Sequence, residues 1–325
     1  MQQWLERVWY GGGRGGGWLR PLAALYRAVT ALRHAAYASG LLRSVRADRP
    51  VVVVGNLSVG GSGKTPLVAW LADALTAADI RVGIVSRGYG GRSPGPLLVT
   101  ADTDPALAGD EPVLLARQTG VPVAVARDRP AAAALLAPEV DLLIADDGLQ
   151  HFRLARDLEL VVIDGVRRFG NARLLPAGPL REATTRLREV DFVITNGGRA
   201  RAGEIAMTLV PGALIALIDG ARHALGEFAG QRVHAVAAIG NPARFFATLR
   251  AAGLDPIEHP LPDHAPIAAR DLEYGDGLPV LMTGKDAVKC RALAKPGMYW
   301  LEVTAALSAS DGERLLARIR ALVRD

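Results

Sequence analysis

Short apolar runs alternate with longer helical segments along the middle of the chain. The first run is four consecutive valines at 51–54, which suits a strand buried on both faces of a sheet. The pattern predicts strands over 51–55, 81–86, 122–126, 141–145, 159–163 and 191–195, and helices over 66–77, 110–119 and 129–137. Strands that alternate with helices are typical of a doubly wound, mostly parallel α/β sheet.

A second, smaller α/β set follows. It comprises predicted strands at 233–239, 279–282 and 298–303 and predicted helices at 242–252 and 306–323. The intervening IAMTLVPGALIALID reads as two extended pieces joined at Pro211-Gly212, and we expect a linking hairpin there. We place the domain boundary near residue 216. Residues 1–216 then form an N-terminal arm plus the first domain, and residues 217–325 form a smaller α/β domain that closes over the site.

The N-terminal arm has its own pattern. The run GGGRGGG at 11–17 predicts a flexible linker, and residues 18–42 predict one or two helices. Arginines at 20, 27 and 33 interrupt the apolar sequence, which argues against a secretory signal and against a membrane-spanning helix.

Composition and charge argue against several kinds of site and function. Half of the 325 residues are hydrophobic, enough for a substantial core. The first 50 residues carry eight arginines against Glu6 and Asp48, so the basic excess lies in the arm and does not indicate nucleic-acid binding. Cys290 is the single cysteine, which rules out internal disulfides and a cysteine-rich zinc site.

A glycine-rich loop follows the first strand. In VVVVGNLSVGGSGKTP, a strand leads into glycines, then a lysine and threonine that open a helix, which is the arrangement of a phosphate-binding P-loop. Lys64 would reach the β- and γ-phosphates of a nucleotide, and Thr65 would bind Mg²⁺. Ser58 stands where the strict motif has its first glycine. The predicted nucleotide-binding residues are Ser58, Val59, Gly60, Gly61, Ser62, Gly63, Lys64 and Thr65.

An acidic pair follows a neighbouring strand. Asp146 and Asp147 end the predicted strand 141–145, where a P-loop protein needs a carboxylate to hold its metal ion. Adjacent residues of a strand point to opposite sides, so we expect different roles for the two aspartates. A simple Asp-Gly turn is the alternative interpretation.

Lysine is rare in this chain. There are four lysines, at 64, 285, 289 and 295, among 38 basic residues. Such a composition suggests that Lys64 is not an interchangeable surface charge.

Transfer of a phosphate to a hydroxyl needs a group that accepts the hydroxyl proton. Candidate acids and partners occur in GDEP, ARDR, GPLRE and PDHAP: Asp110, Asp128, Arg181 with Glu182, and Asp263 with His264. Each alone also fits a helix N-terminus or a loop.

Taken in order, the motifs resemble one family. VGNLSVGGSGKTP, VSRGYGG, GDEPVLLA, PVAVARDR, DDGLQHFRLARDLELVVIDG, FGNARLLPAGPLRE and MTGKDAVKC are similar to those of the tetraacyldisaccharide 4′-kinases of lipid A synthesis. The resemblance extends from about residue 18 to the C-terminus, and the stretch 146–182 is its most specific part.

The resemblance implies an activity and a location. These enzymes transfer the γ-phosphate of ATP, with Mg²⁺, to the 4′-hydroxyl of a tetraacylated glucosamine disaccharide 1-phosphate, forming lipid IVA at the cytoplasmic face of the inner membrane. Since the arm also combines Trp, Leu and Arg, a peripheral membrane contact through residues 18–49 is expected. An ordinary helix packed on the protein's own core is the alternative for the arm, and no obligate protein partner is inferred.

The resemblance also implies residue roles. Lys64 and Thr65 would bind phosphate and Mg²⁺, with Asp146 and Asp147 as the metal-site acids. Asp110 corresponds to the general base and His264 to its partner histidine, while Arg181 and Glu182 match a further catalytic element. Two positions depart from the family pattern: Ala265 replaces a second histidine, and Gly284 replaces a glutamate.

A P-loop switch that hydrolyses nucleotide to regulate a partner is the alternative function. The P-loop and Asp146 fit both classes. A GTP switch normally carries a base-reading NKxD motif, and the TNGG at 195–198 is not one. The switch also leaves Asp110, Arg181 and the arm unexplained.

Overall fold

The structure is a computed structural model that describes residues 2–11 and 16–324. Most of the glycine-rich run predicted as a linker, residues 12–15, lies outside the described residues. Within those that are described, no helix has the length and apolar character needed to cross a bilayer.

The strands are, in chain order, β1 (Val51–Gly55), β2 (Val82–Ser86), β3 (Leu97–Val99), β4 (Val123–Val125), β5 (Leu142–Asp146), β6 (Leu158–Asp164), β7 (Phe192–Asn196), β8 (Ile205–Ala216), β9 (Arg222–His223), β10 (Arg232–Ala237), β11 (Asp255–Pro260), β12 (Val280–Thr283) and β13 (Met298–Leu307). The helices are α1 (Gln2–Tyr10), α2 (Arg20–Ala38), α3 (Lys64–Thr76), α4 (Pro105–Ala108), α5 (Asp110–Thr119), α6 (Arg129–Leu136), α7 (Pro242–Ala251), α8 (Gly284–Lys289) and α9 (Ala309–Arg324). Short 3₁₀ turns occur at Gly17–Leu19, Thr184–Arg188, Leu225–Phe228, Ala269–Asp271 and Arg291–Leu293.

All of these strands belong to one sheet. Its order is β11-β10-β12-β13-β8-β7-β6-β1-β5-β2-β4-β3, with β9 paired to β8. Strands β2, β4, β5, β1, β6 and β7 are parallel, with antiparallel β3 at the edge, and we call them the first half. Strands β12, β10 and β11 form a second parallel block, the second half. The predicted mostly parallel α/β fold is confirmed.

Two long strands join the halves. Strand β8 is parallel to β7 and antiparallel to β13, which in turn is parallel to β12. The predicted hairpin at Pro211-Gly212 is wrong, because both residues lie inside β8. The register with β13 shifts at this point, between Leu301 and Val303. Proline has no N–H to donate to a ladder, so it fits a bulge as well as a turn.

Most predicted elements of the first half match observed ones to within two residues. Strand β1 occupies the predicted residues, and α5 likewise. The edge strands β3 and β11 and the short helix α8 were not predicted. Strand β3 and helix α8 are brief, and β11 contains Pro256 and Pro260, which weaken the pattern of a strand. The division at residue 216 remains a proposal, since β8 ends there but its sheet continues into the second half.

Strand β1 is buried on both faces, as its valines predict. Val52 and Val54 pack in a cluster with helices α3, α5 and α9, whereas Val51 and Val53 pack in a cluster with helix α6. Packing on both faces fixes the position of the carboxyl end of β1, where the P-loop begins.

Helix α2 of the arm is oriented unusually. None of its side chains is fully buried, and its inward face, the partly buried one, comprises Ala23, Tyr26, Thr30, His34, Ala36 and Tyr37. Its exposed residues include three arginines and an outward apolar face. That face comprises Trp18, which precedes the helix, and Leu22, Leu25, Val29 and Leu32. Their spacing of four and three residues places them on one side of a helix.

Leu71→Ala should lower the free energy of unfolding by about 2–5 kcal/mol, because Leu71 is fully buried between α3 and the sheet and its loss leaves a cavity. Leu32→Ala is the matched control, since Leu32 is 72% exposed and its truncation should change stability by less than about 0.5 kcal/mol. Denaturant unfolding measures both. Equal losses would contradict the core assignment.

Candidate active site

The P-loop connects β1 to α3, as predicted. Gly60 and Gly63 have φ of 100° and 93°, left-handed conformations that favour glycine. Helix α3 begins at Lys64, and Thr65 lies buried in its first turn. The loop therefore aims backbone N–H groups and a helix N-terminus at one point, which is a site for an anion.

Asp147 lies between two cations. Its Oδ1 is 3.4 Å from Lys64 Nζ, and Arg181 donates to both carboxylate oxygens at 3.0 and 3.1 Å. Burial would raise the pKa of Asp147, but Lys64 and Arg181 outweigh burial and hold it well below its usual range. The fold thus brings together three residues that are distant in the sequence. Asp147 and Arg181, the nearer pair, are 34 positions apart.

Asp146 has a different environment. It is fully buried at the end of β5, beside Val54 of β1, and neither carboxylate oxygen has a hydrogen-bond partner. Burial, reinforced by the nearby Glu111, raises the pKa of Asp146 to about 7. A buried carboxylate without partners fits a cation ligand, because buried charges are normally paired or bound to metal. The expectation that the two aspartates differ agrees with this geometry.

Arg129 supports the acidic pair from below. Its guanidinium donates to the backbone carbonyls of Asp146 and Asp147, at 3.0 and 2.7 Å. Burial lowers the pKa of Arg129 to about 10. Its neighbour Asp128, a candidate acid in the sequence, forms a surface ion pair with Arg153.

Glu182 is one step removed from the acidic pair. It accepts a hydrogen bond from Gln150 at 2.7 Å, and Gln150 also donates to the carbonyl of Asn56, ahead of the P-loop. Burial raises the pKa of Glu182. Gln150 therefore connects the GPLRE segment to the P-loop. This residue lies in the DDGLQH motif but was not among the predicted site residues.

Asp110 and His264 meet across the two halves. Asp110 opens helix α5, and His264 lies in a loop of the second half. Their Oδ2 and Nδ1 atoms are 3.3 Å apart, so the carboxylate accepts from the imidazole. This hydrogen bond raises the pKa of His264. The sequence placed these residues 154 positions apart, and the resemblance alone had paired them.

Lys289 anchors the same corner. Its Nζ lies 2.8 Å from Asp286, 3.9 Å from Asp110 and 3.2 Å from the carbonyl of Ala265. Asp286 is fully buried and also accepts from the backbone N–H of Ala238. Lys289 of the TGKDAVK segment therefore holds the loop of His264 against helix α8 and links it to Asp110 of the first half.

Known proteins are similar to this chain over almost its whole length. A model of the family described as tetraacyldisaccharide-1-P 4′-kinase (LpxK) matches residues 17–323. The tetraacyldisaccharide 4′-kinase of Alkalilimnicola ehrlichii is 56% identical over 309 residues, which are 94% of this chain and 93% of that protein. This chain belongs to the tetraacyldisaccharide-1-P 4′-kinase family.

A solved structure supports the same conclusion. LpxK from Aquifex aeolicus, crystallised in complex with ATP, is 30% identical, and the match covers 95% of this chain and 99% of that one with a TM-score of 0.80. The predicted family and fold are confirmed. The protein is a kinase of lipid A biosynthesis, and the alternative of a regulatory P-loop switch is set aside.

Gly284, one of the two departures noted in the sequence, packs closely at the start of helix α8. A Cβ at this residue would lie 3.1 Å from Leu114 and 3.3 Å from Trp300, closer than ordinary contact. A larger residue here would therefore require these two side chains to shift. The neighbouring Lys285 forms an ion pair with Glu111.

Three of the four lysines lie in the candidate site. Lys64, Lys285 and Lys289 all lie in this site, whereas Lys295 pairs with Glu273 at the surface. A lysine ammonium is a compact charge with three donors, unlike the planar guanidinium that the chain uses elsewhere. The same composition that singled out Lys64 could have found the other two.

The NMR-measured pKa of His264 should lie above the ordinary histidine value of about 6.5, and Asp110→Asn should lower it. Because the folded-state pKa is raised, the pair supports contact between the halves fully below about pH 6.5 and loses that support as the pH rises through the raised pKa. Asp128→Asn is the control and should leave His264 unchanged. A His264 titration insensitive to Asp110→Asn would contradict the contact.

Proposed function

We propose that the protein transfers the γ-phosphate of ATP to the 4′-hydroxyl of a tetraacylated glucosamine disaccharide 1-phosphate, forming lipid IVA at the cytoplasmic face of the inner membrane. The observation that carries this proposal is the convergence of two clusters at one edge of the sheet. One is Lys64 with Asp147 and Arg181, and the other is Asp110 with His264. Ligands of parallel α/β sheets bind outside the carboxyl ends of the strands.

The first cluster is suited to the phosphates. The P-loop backbone and α3 would hold the β- and γ-phosphates, with Lys64 compensating their charge. Asp147 keeps Lys64 and Arg181 in place while no nucleotide is bound. Charge stabilisation by preorganised cations is a main source of rate enhancement in phosphoryl transfer.

Asp146 and Thr65 would hold Mg²⁺. The orphaned carboxylate oxygens of Asp146 fit a hard cation with oxygen ligands, and Thr65 would add a hydroxyl from the first turn of α3. Bound Mg²⁺ neutralises charge on the phosphate oxygens. Asp147 is engaged by two cations, which favours Asp146 as the closer metal ligand.

The second cluster is suited to the acceptor. Asp110 would take the proton of the 4′-hydroxyl as its oxygen bonds to the γ-phosphorus and the bond to the β-phosphate oxygen breaks, releasing ADP. His264 orients the carboxylate from the second half through the 3.3 Å contact. Glu111, the residue that follows Asp110, forms an ion pair with Lys285, which adds a further cation to this part of the site.

The arm would supply the membrane contact. Tyr26 on the inward face of α2 donates to the carbonyl of Arg181 at 3.1 Å, so the arm reaches the site directly. His34 stacks on Phe152 of the DDGLQHF segment, and Tyr37 packs against the same ring at a tilt of 40°. The outward apolar face is then free to enter the interface of a bilayer, with arginines near anionic headgroups. A substrate with four acyl chains would be met where it resides.

Asp110→Asn should lower kcat by about 100-fold or more and leave KM for ATP nearly unchanged, since a base acts in the transition state. The measurement is transfer of phosphate from ATP to the disaccharide acceptor with Mg²⁺. Asp128→Asn should behave as the unsubstituted protein. Lys64→Ala should abolish transfer, and transfer that persists in Lys64→Ala, or normal kcat in Asp110→Asn, would refute the proposed roles.

The double variant Leu25→Glu/Leu32→Glu should bind anionic vesicles at least tenfold more weakly, because burial of each leucine contributes roughly 1.5–3 kcal/mol. Affinity for ATP should not change. Leu98→Glu is the control, as Leu98 is similarly exposed but lies on edge strand β3. Co-sedimentation with vesicles measures binding, and unchanged binding of the double variant would refute the arm as the membrane contact.

A further inference from the structure

A buried asparagine holds the P-loop from the side. Asn196 ends β7 and is 1% exposed, and its Nδ2 donates to the carbonyl of Ser62 at 2.8 Å. In a trans peptide the C=O and the following N–H point in opposite directions. Fixing the Ser62 carbonyl against Asn196 therefore turns the N–H of Gly63 the other way, as a phosphate-binding loop requires.

The orientation of this amide is itself set from the second half. Arg244 lies in the first turns of α7, and its guanidinium donates to Asn196 Oδ1 at 2.8 Å. An asparagine amide can bind in two orientations that exchange its oxygen and nitrogen. Because arginine has donors and no acceptor, Arg244 selects the orientation that presents Nδ2 to Ser62.

The backbone ahead of α7 approaches the same loop. A Cβ on Gly240 would lie 3.3 Å from the backbone nitrogen of Gly61. The second half thus meets the P-loop at two points, once through backbone packing at Gly240 and once through the hydrogen bonds of Arg244 and Asn196. The TNGG segment at 195–198, which is not an NKxD motif, therefore supports the P-loop through Asn196.

We infer that Arg244 is a positioning residue for nucleotide binding, which acts through Asn196 to hold the P-loop in its phosphate-binding form. Affinity for ATP then depends on how the second half docks on the first. By linkage, bound ATP favours that docking by the same factor. The inference rests on the proposed function in one respect, namely that ATP phosphates occupy the P-loop.

Arg244→Met should weaken ATP binding about tenfold, a typical size for coupling between two parts of a protein. Turnover at saturating ATP should stay within about twofold, because Arg244 contacts neither cluster of the active site. Isothermal calorimetry with ATP and Mg²⁺ gives the affinity, and steady-state transfer gives kcat and KM. Arg244→Lys retains a cationic donor and should recover part of the affinity.

Arg250→Met is the matched control. Arg250 lies on the same helix and forms a surface ion pair with Glu258, away from the P-loop. It should bind ATP as the unsubstituted protein does, and thermal melts of both variants test whether the helix remains folded. Similar melting temperatures with a selective loss of ATP affinity in Arg244→Met support the inference.

A double-mutant cycle separates the relay from independent effects. Asn196→Ala should weaken ATP binding at least as much as Arg244→Met, and the double variant should lose no more than Asn196→Ala alone. Additive losses, unchanged affinity in Arg244→Met, or a fall in kcat with normal affinity would overturn the inference. If the unsubstituted protein failed to bind ATP, the proposed function would fail instead, so the two failures are distinct.

Discussion

The antiparallel pairing of β8 with β13 is the constraint on which the site depends. It runs from Met207 with Leu307 to Ala216 with Tyr299 and makes one sheet of two parallel blocks. Residues of the second half are thereby held against the P-loop edge of the first. His264, Lys289 and Arg244 reach the site for this reason, and the bulge near Pro211 gives the paired strands a local bend.

Charge is distributed unequally between the two sides of the site. In the P-loop cluster, the carboxylate of Asp147 lies between Lys64 and Arg181 and holds both cations beside the loop. In the cluster proposed for the acceptor, a carboxylate and an imidazole form a pair that spans the halves. Asp146 is buried and its carboxylate oxygens have no hydrogen-bond partner, and burial raises its pKa to about 7. Strongly shifted pKa values of this kind are concentrated at functional sites.

The arm joins this arrangement to a surface. An ordinary amphipathic helix turns its apolar side toward the protein, whereas α2 turns tyrosines and a histidine inward and leucines outward. The contact of Tyr26 with the backbone of Arg181 means that the same helix borders the cluster of Lys64, Asp147 and Arg181. In the proposed function, membrane attachment and catalysis therefore share one structural element.

The parallel first half, the P-loop and the motifs that identify the family could all be predicted from the sequence. These are local signals, since a run of valines, a glycine loop and a helix start are encoded within about 20 consecutive residues. The resemblance supplied the pairing of Asp110 with His264. The contacts of Gln150, Arg129 and Arg244, and that of Lys289 with Asp110, could be read only from the folded chain. Their partners lie outside the local sequence window, and a side chain's neighbours depend on how strands and halves pack, which no local pattern records. The Pro-Gly of β8 illustrates the limit: its chemistry permits a turn or a bulge, and the pairing with β13 selected the bulge.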